Sequence, residues 1–347
     1  MFSQFFSEKI EVDGKTIWGV SDAGTIKVTL NPNSIRFKES KDTPWQENLR
    51  MYDNAYYYDE ETGKRVKIIG VDLEDKPFIK TRLQGIDAPE LHYMANKGNV
   101  FLYENQFSLF NSLKEAFDFR QTFGAKAASK LIGFLKDYSA NEKYINAYAI
   151  STINTPSELF DKYGRAICDI FVYNDDDEDE GTNINQWLVR EGWAFPDFYD
   201  SMTNEEITIL KKLGNDANNA NSGIRPYLSD RLLDLNYNLL FDKENAKQIL
   251  DNENGKLNLP KFFRKQVDWK VLGNSGYKVK NLKQFISNRK DKCYKIDEFL
   301  EKRHDAKIYP LSEFINEDNT ITVGPGELVN IESESFIETS NIISTWY

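Results

Sequence analysis

Alternating apolar and polar positions predict several β-strands in the first half of the chain. Residues 15–30, "KTIWGVSDAGTIKVTL", have the pattern of two strands joined by a turn at Asp22-Ala23-Gly24. Residues 65–86, "RVKIIGVDLEDKPFIKTRLQGI", predict two more strands around a turn that contains Pro77. The same pattern recurs over residues 143–152 and 164–173. We therefore expect about five strands in a small sheet or barrel.

Helical spacing of apolar residues appears between and after these strands. Residues 123–138, "FGAKAASKLIGFLKDY", have apolar side chains three and four positions apart, and residues 183–194 predict a helix that ends at Gly192. A third helix should begin at Thr203, because Thr203 and Glu206 have the spacing of a capping box. Strands followed by helices predict an α+β fold: a five-stranded OB-type β-barrel with three packed helices.

Two polar and aromatic stretches interrupt this pattern, at about residues 31–63 and 94–120, and we interpret both as insertions. The character of the sequence changes after Pro226. We therefore predict a first domain over residues 1–228 and a smaller α+β C-terminal accessory domain over residues 229–347.

Charge is distributed unevenly along the chain. The formal net charge of −11 disfavours nonspecific affinity for nucleic acid. The basic segment, residues 256–307, nevertheless has 15 Lys and Arg against 6 Asp and Glu, whereas the acidic β tail, residues 308–347, has 7 acidic residues and no Lys or Arg. The basic residues alternate with aromatic ones, which suits contact with a nucleic-acid backbone. The alternative is a solvated helical face that the acidic tail neutralises.

Composition narrows the cellular location and the kind of metal site. The sequence has no apolar run long enough for a membrane span and does not begin with a signal-peptide pattern, so we expect a cytoplasmic protein without a membrane partner. Its two cysteines and two histidines are too few for a cysteine- or histidine-rich metal centre. Any metal should be a hard cation bound by oxygen atoms.

Two short stretches combine arginines with carboxylates. Arg82, Asp87 and Glu90 lie within nine positions, and "DKYGR", residues 161–165, comes just before a predicted strand. Hydrolysis of a phosphodiester needs such groups: arginines for the phosphate oxygens, one carboxylate for a divalent cation and another as general base. On spacing alone, surface ion pairs are the simpler interpretation.

The motifs as a whole resemble the staphylococcal nuclease-like (thermonuclease) family. "RLQGIDAPE", residues 82–90, is similar to the family's strand-and-turn motif, and "DKYGR" to its second motif. The helix that contains Gly124 and Ala127 and the later stretches "LVREGWA" and "NSGIRP" also resemble the family, in the same order. The resemblance covers about residues 15–226, apart from the two insertions.

The resemblance implies an OB-fold nuclease that hydrolyses DNA and RNA with Ca²⁺ as cofactor. Arg82 and Arg165 would stabilise the transition state, and Glu90 would activate the attacking water. Asp87 would bind the metal through its carboxylate and Ala88 through its backbone carbonyl.

The same resemblance implies residues that bind the substrate. Lys162 and Tyr163 would contact a terminal phosphate, and Tyr199 would stack on a base. Nucleic acid, DNA or RNA, is the implied partner, and the C-terminal domain could take a protein partner.

One position departs from the family pattern. Where the family has a second metal-binding Asp, this chain has Gly24 in the turn Asp22-Ala23-Gly24-Thr25. A calcium site with one carboxylate fewer should bind more weakly. Asp22 could move into the site, or Asp72 or Asp75 of the neighbouring loop could replace the missing ligand.

Two hypotheses follow for the function. The first is a metal-dependent nuclease that cleaves DNA or RNA by attack of water on phosphorus. The second is a catalytically weak or inactive nuclease-like OB module that binds nucleic acid or a protein partner, because Gly24 replaces a metal-binding Asp.

Overall fold

A computed structural model of the chain describes residues 2–7, 10–11, 20–29, 36–38, 46–47, 56–59, 64–71, 77–91, 93–94, 118–138, 144–153, 159–161, 163–173, 181–230, 256–273 and 281–331. Within these ranges the chain forms two compact units. The first takes its described residues from Met1–Gln84 and Ser129–Trp187, and the second from Gly85–Ala128 and Leu188–Glu332. The sequence predicts a domain boundary at residue 228, and the residues just before and just after it belong to the second unit. The division into residues 1–228 and 229–347 stays a prediction.

The mixed α+β class is confirmed by the secondary structure. Six α-helices occur in the described part of the chain: α1 (Gly124–Lys136), α2 (Ile184–Arg190), α3 (Asn204–Asn219), α4 (Pro260–Gly273), α5 (Leu282–Arg289) and α6 (Ile296–Lys302). Thr203 caps α3 in a capping box with Glu206, as the sequence predicts. The first three helices lie within residues 1–228, in the number expected for that region.

The strands form several sheets. Those drawn from the first unit are β1 (Phe2–Ser7), β2 (Ile10–Glu11), β3 (Val20–Asp22), β4 (Thr25–Thr29), β5 (Arg36–Lys38), β6 (Gln46–Glu47), β7 (Tyr56–Asp59), β8 (Lys64–Lys67), β9 (Gly70–Val71), β10 (Pro77–Leu83), β14 (Tyr144–Ile153), β15 (Ala166–Tyr173) and β16 (Thr182–Asn183). Those drawn from the second are β11 (Ile86–Asp87), β12 (Tyr93–Met94), β13 (Asp118–Phe119), β17 (Phe195–Pro196), β18 (Phe198–Tyr199), β19 (Lys292–Lys295), β20 (Ile308–Pro310) and β21 (Leu328–Asn330).

Five strands of the first unit are paired in a circuit. β10 pairs with β4 in antiparallel fashion and with β15 in parallel, β15 pairs with β14, and β2 pairs with both β14 and β4. The link through β2 is narrow, because its single pair with β4 joins Ile10 to Val28. An OB-type fold is consistent with these pairings, and a closed five-stranded barrel stays a prediction.

The core of the first unit forms where alternate side chains of these strands point inward. Residues of β15 alternate between buried and half-buried along its whole length, as the period-two pattern predicts. Asn185 is one of several polar side chains buried in this core. Buried Asn185 donates to the carbonyl oxygens of Gln84 and Cys168, at 3.0 and 3.1 Å, and accepts a hydrogen bond from the Ile170 amide. It thereby holds the end of β10 against β15, directly beside the candidate arginines.

In the second unit, residues 256–331 pack against residues from the middle of the chain. Phe263 and Val267 of α4 pack with Phe119 of β13, and Leu257 packs with Phe123 at the start of α1. β21 pairs with β19 and, in parallel, with β18. Residues 256–331 therefore share a core with residues 85–128 and 188–230. No helix among the described residues is both long enough and apolar enough to cross a membrane.

Candidate functional site

The "DKYGR" stretch forms a closed loop in the first unit. Asp161 Oδ1 accepts hydrogen bonds from the backbone amides of Tyr163 and Arg165, at 2.9 and 3.0 Å. The backbone amide of Asp161 donates to the Arg165 carbonyl, and that of Gly164 donates to the Asp161 carbonyl. An aspartate that bonds amides two and four residues ahead fixes a tight turn. The loop delivers Arg165 directly to the start of β15.

Gly164 is needed at the tip of this loop. Its φ of 71° lies in the left-handed region that L side chains rarely adopt. A Cβ added there would lie 2.3 Å from Cδ1 of Tyr57. This position of the turn therefore requires glycine, for both conformational and steric reasons.

The Arg165 side chain is held at three points. Its Nε donates to Asp161 Oδ2 at 2.8 Å, its Nη2 lies 2.7 Å from the same oxygen, and its Nη1 donates to Thr25 Oγ1 at 3.0 Å. The side chain is 23% exposed. A guanidinium has five N–H donors in one plane, so this anchoring leaves donors for an external acceptor.

Strand register brings Arg82 to the same place. Arg82 of β10 lies opposite Thr25 of β4 and beside Ile167 of β15. Arg165 comes two residues before Ile167, and paired strands lie about 4.8 Å apart. Arg82 and Arg165 are both half-buried, whereas Thr81 and Ala166 between them are buried. The structure thus places the two predicted arginines on one face of the sheet, next to Thr25.

Gly24 lies in the turn between β3 and β4, directly before Thr25. Asp22 pairs with Thr25 across the β3–β4 hairpin, and Asp22 Oδ1 accepts a hydrogen bond of 2.7 Å from the Gly24 amide. One oxygen of Asp22 therefore stabilises its own turn. Asp72 and Asp75, the other alternative ligands, and Lys162, a predicted phosphate contact, lie outside the described residues.

The predicted metal-binding and general-base residues belong to the second unit. Asp87 ends β11 opposite Phe195 of β17 and is buried, as is Ala88. Glu90 follows in a loop that packs against the start of α1. A Cβ on Gly124 would lie 2.3 Å from the Glu90 carbonyl oxygen. This close approach fixes the backbone from which the Glu90 carboxylate projects.

Both carboxylates are bonded to a third residue, Arg264 of α4. Its Nη1 and Nη2 donate to the two oxygens of Asp87, at 2.8 and 3.0 Å, and Nη1 also donates to Oε1 of Glu90. The two parallel bonds to Asp87 are the bidentate geometry that guanidinium and carboxylate favour. The Arg264 side chain is only 23% exposed, and the two carboxylates are less so.

The charge of Arg264 is stabilised where it lies. Burial alone would lower the pKa of its guanidinium, but the negative charges of Asp87 and Glu90 and the hydrogen bonds to Asp87 outweigh that effect. The pKa of Arg264 therefore lies well above its ordinary value. Arginine is effectively always protonated in proteins, so Arg264 is a cation in the folded chain.

A buried glutamine connects the Glu90 loop to the segment that leads into α4. The side-chain oxygen Oε1 of Gln121 accepts a hydrogen bond from the Glu90 backbone amide at 3.2 Å. The backbone amide of Gln121 donates to the Glu90 carbonyl at 2.8 Å. Gln121 Nε2 donates to the carbonyl of Asn258 at 2.6 Å. Because Asn258 lies two residues before the start of α4, this network fixes the helix that carries Arg264 with respect to Glu90.

The predicted substrate-binding tyrosines are separated between the units. Tyr163, in the first unit, is 47% exposed, and the Arg165 guanidinium lies 5.4 Å from the centre of its ring. Tyr199, in the second unit, is half-buried, and its hydroxyl donates to Asp197 Oδ2 at 3.1 Å. Roles in phosphate contact and base stacking stay predictions for both.

The residues that the structure places around Asp87 do not fit a calcium ion. Calcium takes six to eight oxygen ligands, whereas both oxygens of Asp87 and one of Glu90 are bonded to a guanidinium. Within the part of the chain that the structure describes, no three acidic, histidine or cysteine side chains lie close enough together to hold a metal ion. A cation at Asp87 would also meet the positive charge of Arg264 at close range.

The sequence analysis missed Arg264 as a functional residue. The basic segment that contains it was recognised, but only as a candidate surface for nucleic acid. Its partners lie 174 and 177 positions earlier in the chain. No local spacing reports a contact over such a distance, so the alternation of charged and aromatic residues was the only signal.

Comparison with known proteins supports the resemblance. The model of the family described as staphylococcal nuclease homologue matches residues 80–225. This span includes Arg82, Asp87, Glu90 and Arg165, and it ends before Arg264. A search of curated proteins found no match to the chain.

Proposed function

From the premise that residues 80–225 carry a staphylococcal nuclease-like domain, we propose that the chain binds the phosphodiester backbone of nucleic acid without efficient calcium-dependent cleavage. This is the catalytically weak module of the two hypotheses. One observation carries the proposal: the predicted phosphate-binding arginines are presented on a strand face, whereas the predicted catalytic carboxylates are bonded to Arg264.

The arginine face supports the binding half of the proposal. Arg165 is oriented by Asp161 and Thr25, and Arg82 lies opposite Thr25 in the register. A guanidinium that is already oriented loses little freedom when it binds a phosphate, and planar donation suits phosphate oxygens. Arg82 adds a second guanidinium on the adjacent strand β10, on the same face of the sheet.

The strand circuit supports a matching architecture. β2, β4, β10, β15 and β14 follow one another in the pairing, with β10 and β15 parallel. We infer a five-stranded OB-type barrel from this order. OB folds bind single-stranded nucleic acid on a strand face with nearby loops, which is where the two arginines and Tyr163 lie on this chain.

The state of the carboxylates supports the loss of efficient cleavage. A general base must accept a proton from water, and a metal ligand must offer a free lone pair. Glu90 Oε1 and both oxygens of Asp87 already accept hydrogen bonds from Arg264. Gly24 removes the additional carboxylate that the family supplies.

Binding in the presence of a chelator tests this function. We expect fluorescein-labelled single-stranded DNA or RNA to bind in EDTA, with an affinity that falls as salt is added. Arg165→Ala should weaken binding at least about tenfold, because it removes a charge-assisted bond worth roughly 1.5–3 kcal/mol. Arg190→Ala is the matched control, since Arg190 is exposed and pairs only with the adjacent Glu191. Fluorescence anisotropy that shows no binding, or equal binding for both variants, would contradict the proposal.

A metal-dependent nuclease is the second candidate, and the retention of Arg82, Asp87, Glu90 and Arg165 favours it. Incubation of the same oligonucleotides with Ca²⁺ separates the two functions. Cleavage that EDTA abolishes and that Glu90→Gln removes would select the nuclease. Intact oligonucleotide after prolonged incubation with calcium would select the binding module.

A further inference from the structure

We propose that Arg264 is a permanent internal replacement for the divalent cation that the nuclease family binds at Asp87. The guanidinium satisfies the carboxylates that would otherwise hold the ion, so the folded chain does not bind calcium there. This inference rests on the proposed function in one respect, since both take Asp87 and Glu90 to be catalytically inactive. The occupation of the metal site by Arg264 can be tested separately, by measuring calcium binding.

The first support is the pattern of contacts. Arg264 reaches both oxygens of Asp87 and one of Glu90 with two terminal nitrogens. A surface arginine would pair with one carboxylate through a flexible, solvated contact worth little. Here one cation bridges two carboxylates that stand three residues apart, as a metal ion would. All three groups are largely buried, so their attraction is only weakly screened by water.

The second support is that α4 is fixed independently of Arg264. Phe263 and Val267, which flank Arg264 on the helix, pack into the apolar cluster with Phe119. Asp268, one turn further on, accepts a hydrogen bond of 3.0 Å from the Tyr93 hydroxyl. Packing and hydrogen bonds thus hold the helix in position, so the guanidinium is delivered to the carboxylates by the fold.

Calcium titration followed by calorimetry tests the replacement directly. We expect no stoichiometric binding of Ca²⁺ by the full wild-type chain. Arg264→Ala should bind one Ca²⁺ at least about tenfold more tightly than wild type, because the positive charge bonded to the two carboxylates has gone. Adding Asp87→Asn to that variant should abolish the gain.

Lys261→Ala is the matched control, because Lys261 is a cation on the same helix, one turn before Arg264. It should behave like wild type, which shows that occupancy of the carboxylates matters rather than the total charge of the helix. Equal calcium binding by wild type and Arg264→Ala would overturn the proposal. So would a folded Arg264→Ala variant that binds no calcium.

Loss of folding in Arg264→Ala is covered by a second measurement. Arg264→Gln keeps hydrogen-bond donors at the carboxylates without the charge, and calcium should raise the melting temperature of either variant by several degrees. Magnesium, which dehydrates reluctantly and demands a stricter geometry, should raise it less. If calcium leaves the melting temperature of both variants unchanged, the carboxylates do not form a cation site and the proposal fails.

Discussion

Each unit of the molecule contains an arginine bonded to aspartate, and the two pairs differ in what they leave available. Asp161 and Arg165 are four residues apart, and their contact orients a guanidinium that retains free donors. Asp87 and Arg264 are 177 residues apart, and their contact occupies both oxygens of the carboxylate. The local pair orients a guanidinium, whereas the distant pair occupies carboxylate oxygens. Under the proposed function, the same chemical bond supports a phosphate-binding site in one unit and suppresses a metal site in the other.

The largest effect should follow from removing Arg264. Arg264→Ala removes the guanidinium that bridges the buried carboxylates of Asp87 and Glu90, and breaking such a buried ion pair should lower the free energy of unfolding by about 3–5 kcal/mol. Urea denaturation at neutral pH measures this loss. The triple variant Arg264→Leu, Asp87→Asn, Glu90→Gln should recover most of it. A loss below about 1 kcal/mol in Arg264→Ala would show that the distant pair is an ordinary surface contact.

The next largest effect should come from the loop of the local pair. Gly164→Ala forces an L side chain into a left-handed conformation, at a cost of about 1–2 kcal/mol, and its Cβ overlaps the Tyr57 ring. We expect a loss of about 2 kcal/mol and weaker binding of nucleic acid, measured by denaturation and anisotropy. Gly133→Ala is the control, because a Cβ there meets nothing within 4 Å. Equal behaviour of the two variants would show that the loop geometry does not matter.

The free energy of unfolding, measured over a series of pH values, should distinguish the contribution of Lys265 from that of its neighbour Arg264. Burial lowers the pKa of Lys265 to about 8, although the charge of Asp291 opposes the shift. Above that pH the native lysine is neutral while the unfolded one still carries its proton, so stability should rise with pH. The gain from pH 8 to 9.5 should be about 1–2 kcal/mol. Lys265→Met should remove this rise. A wild-type stability that falls over the same interval would contradict the prediction.

The smallest effect is expected for Gly24→Asp. A Cβ at Gly24 would lie 3.4 Å from Asp22 Oδ1, an ordinary contact, so stability should change by less than about 1 kcal/mol. Calcium affinity should also stay unchanged while Arg264 holds Asp87 and Glu90. Strong calcium binding by Gly24→Asp itself, seen by calorimetry, would instead identify the missing carboxylate as the limiting feature.

Much of the fold was predictable because its signals are local. The alternation along β15 and the capping box of Thr203 and Glu206 both appear where the sequence predicts them. The "DKYGR" loop was recognised for the same reason, since its hydrogen bonds span four residues or fewer. The family model ends at residue 225 and therefore covers none of the C-terminal segment.

What could not be predicted depends on contacts between distant parts of the chain. Phe263 and Val267 of α4 share an apolar cluster with Phe119, more than 140 positions earlier in the chain, and no local pattern indicates that contact. The position of α4 is set by buried contacts of Phe263 and by the network of Gln121 and Asn258. The spacing of apolar residues in α4 indicates which of its residues face inward. It does not indicate which distant carboxylates the helix contacts.

The distance along the chain between Glu90 and Arg264 also sets an order of events during synthesis. A ribosome that adds roughly 5–20 residues per second needs about 9–35 s to make the 174 residues from Glu90 to Arg264. For that time the nascent chain displays Asp87 and Glu90 without their internal cation. The carboxylates are then open to metal ions and chaperones of the surrounding solution. The core of the second unit can be completed only after α4 has been made, so each newly made molecule passes through a brief period in which Asp87 and Glu90 lack the Arg264 guanidinium.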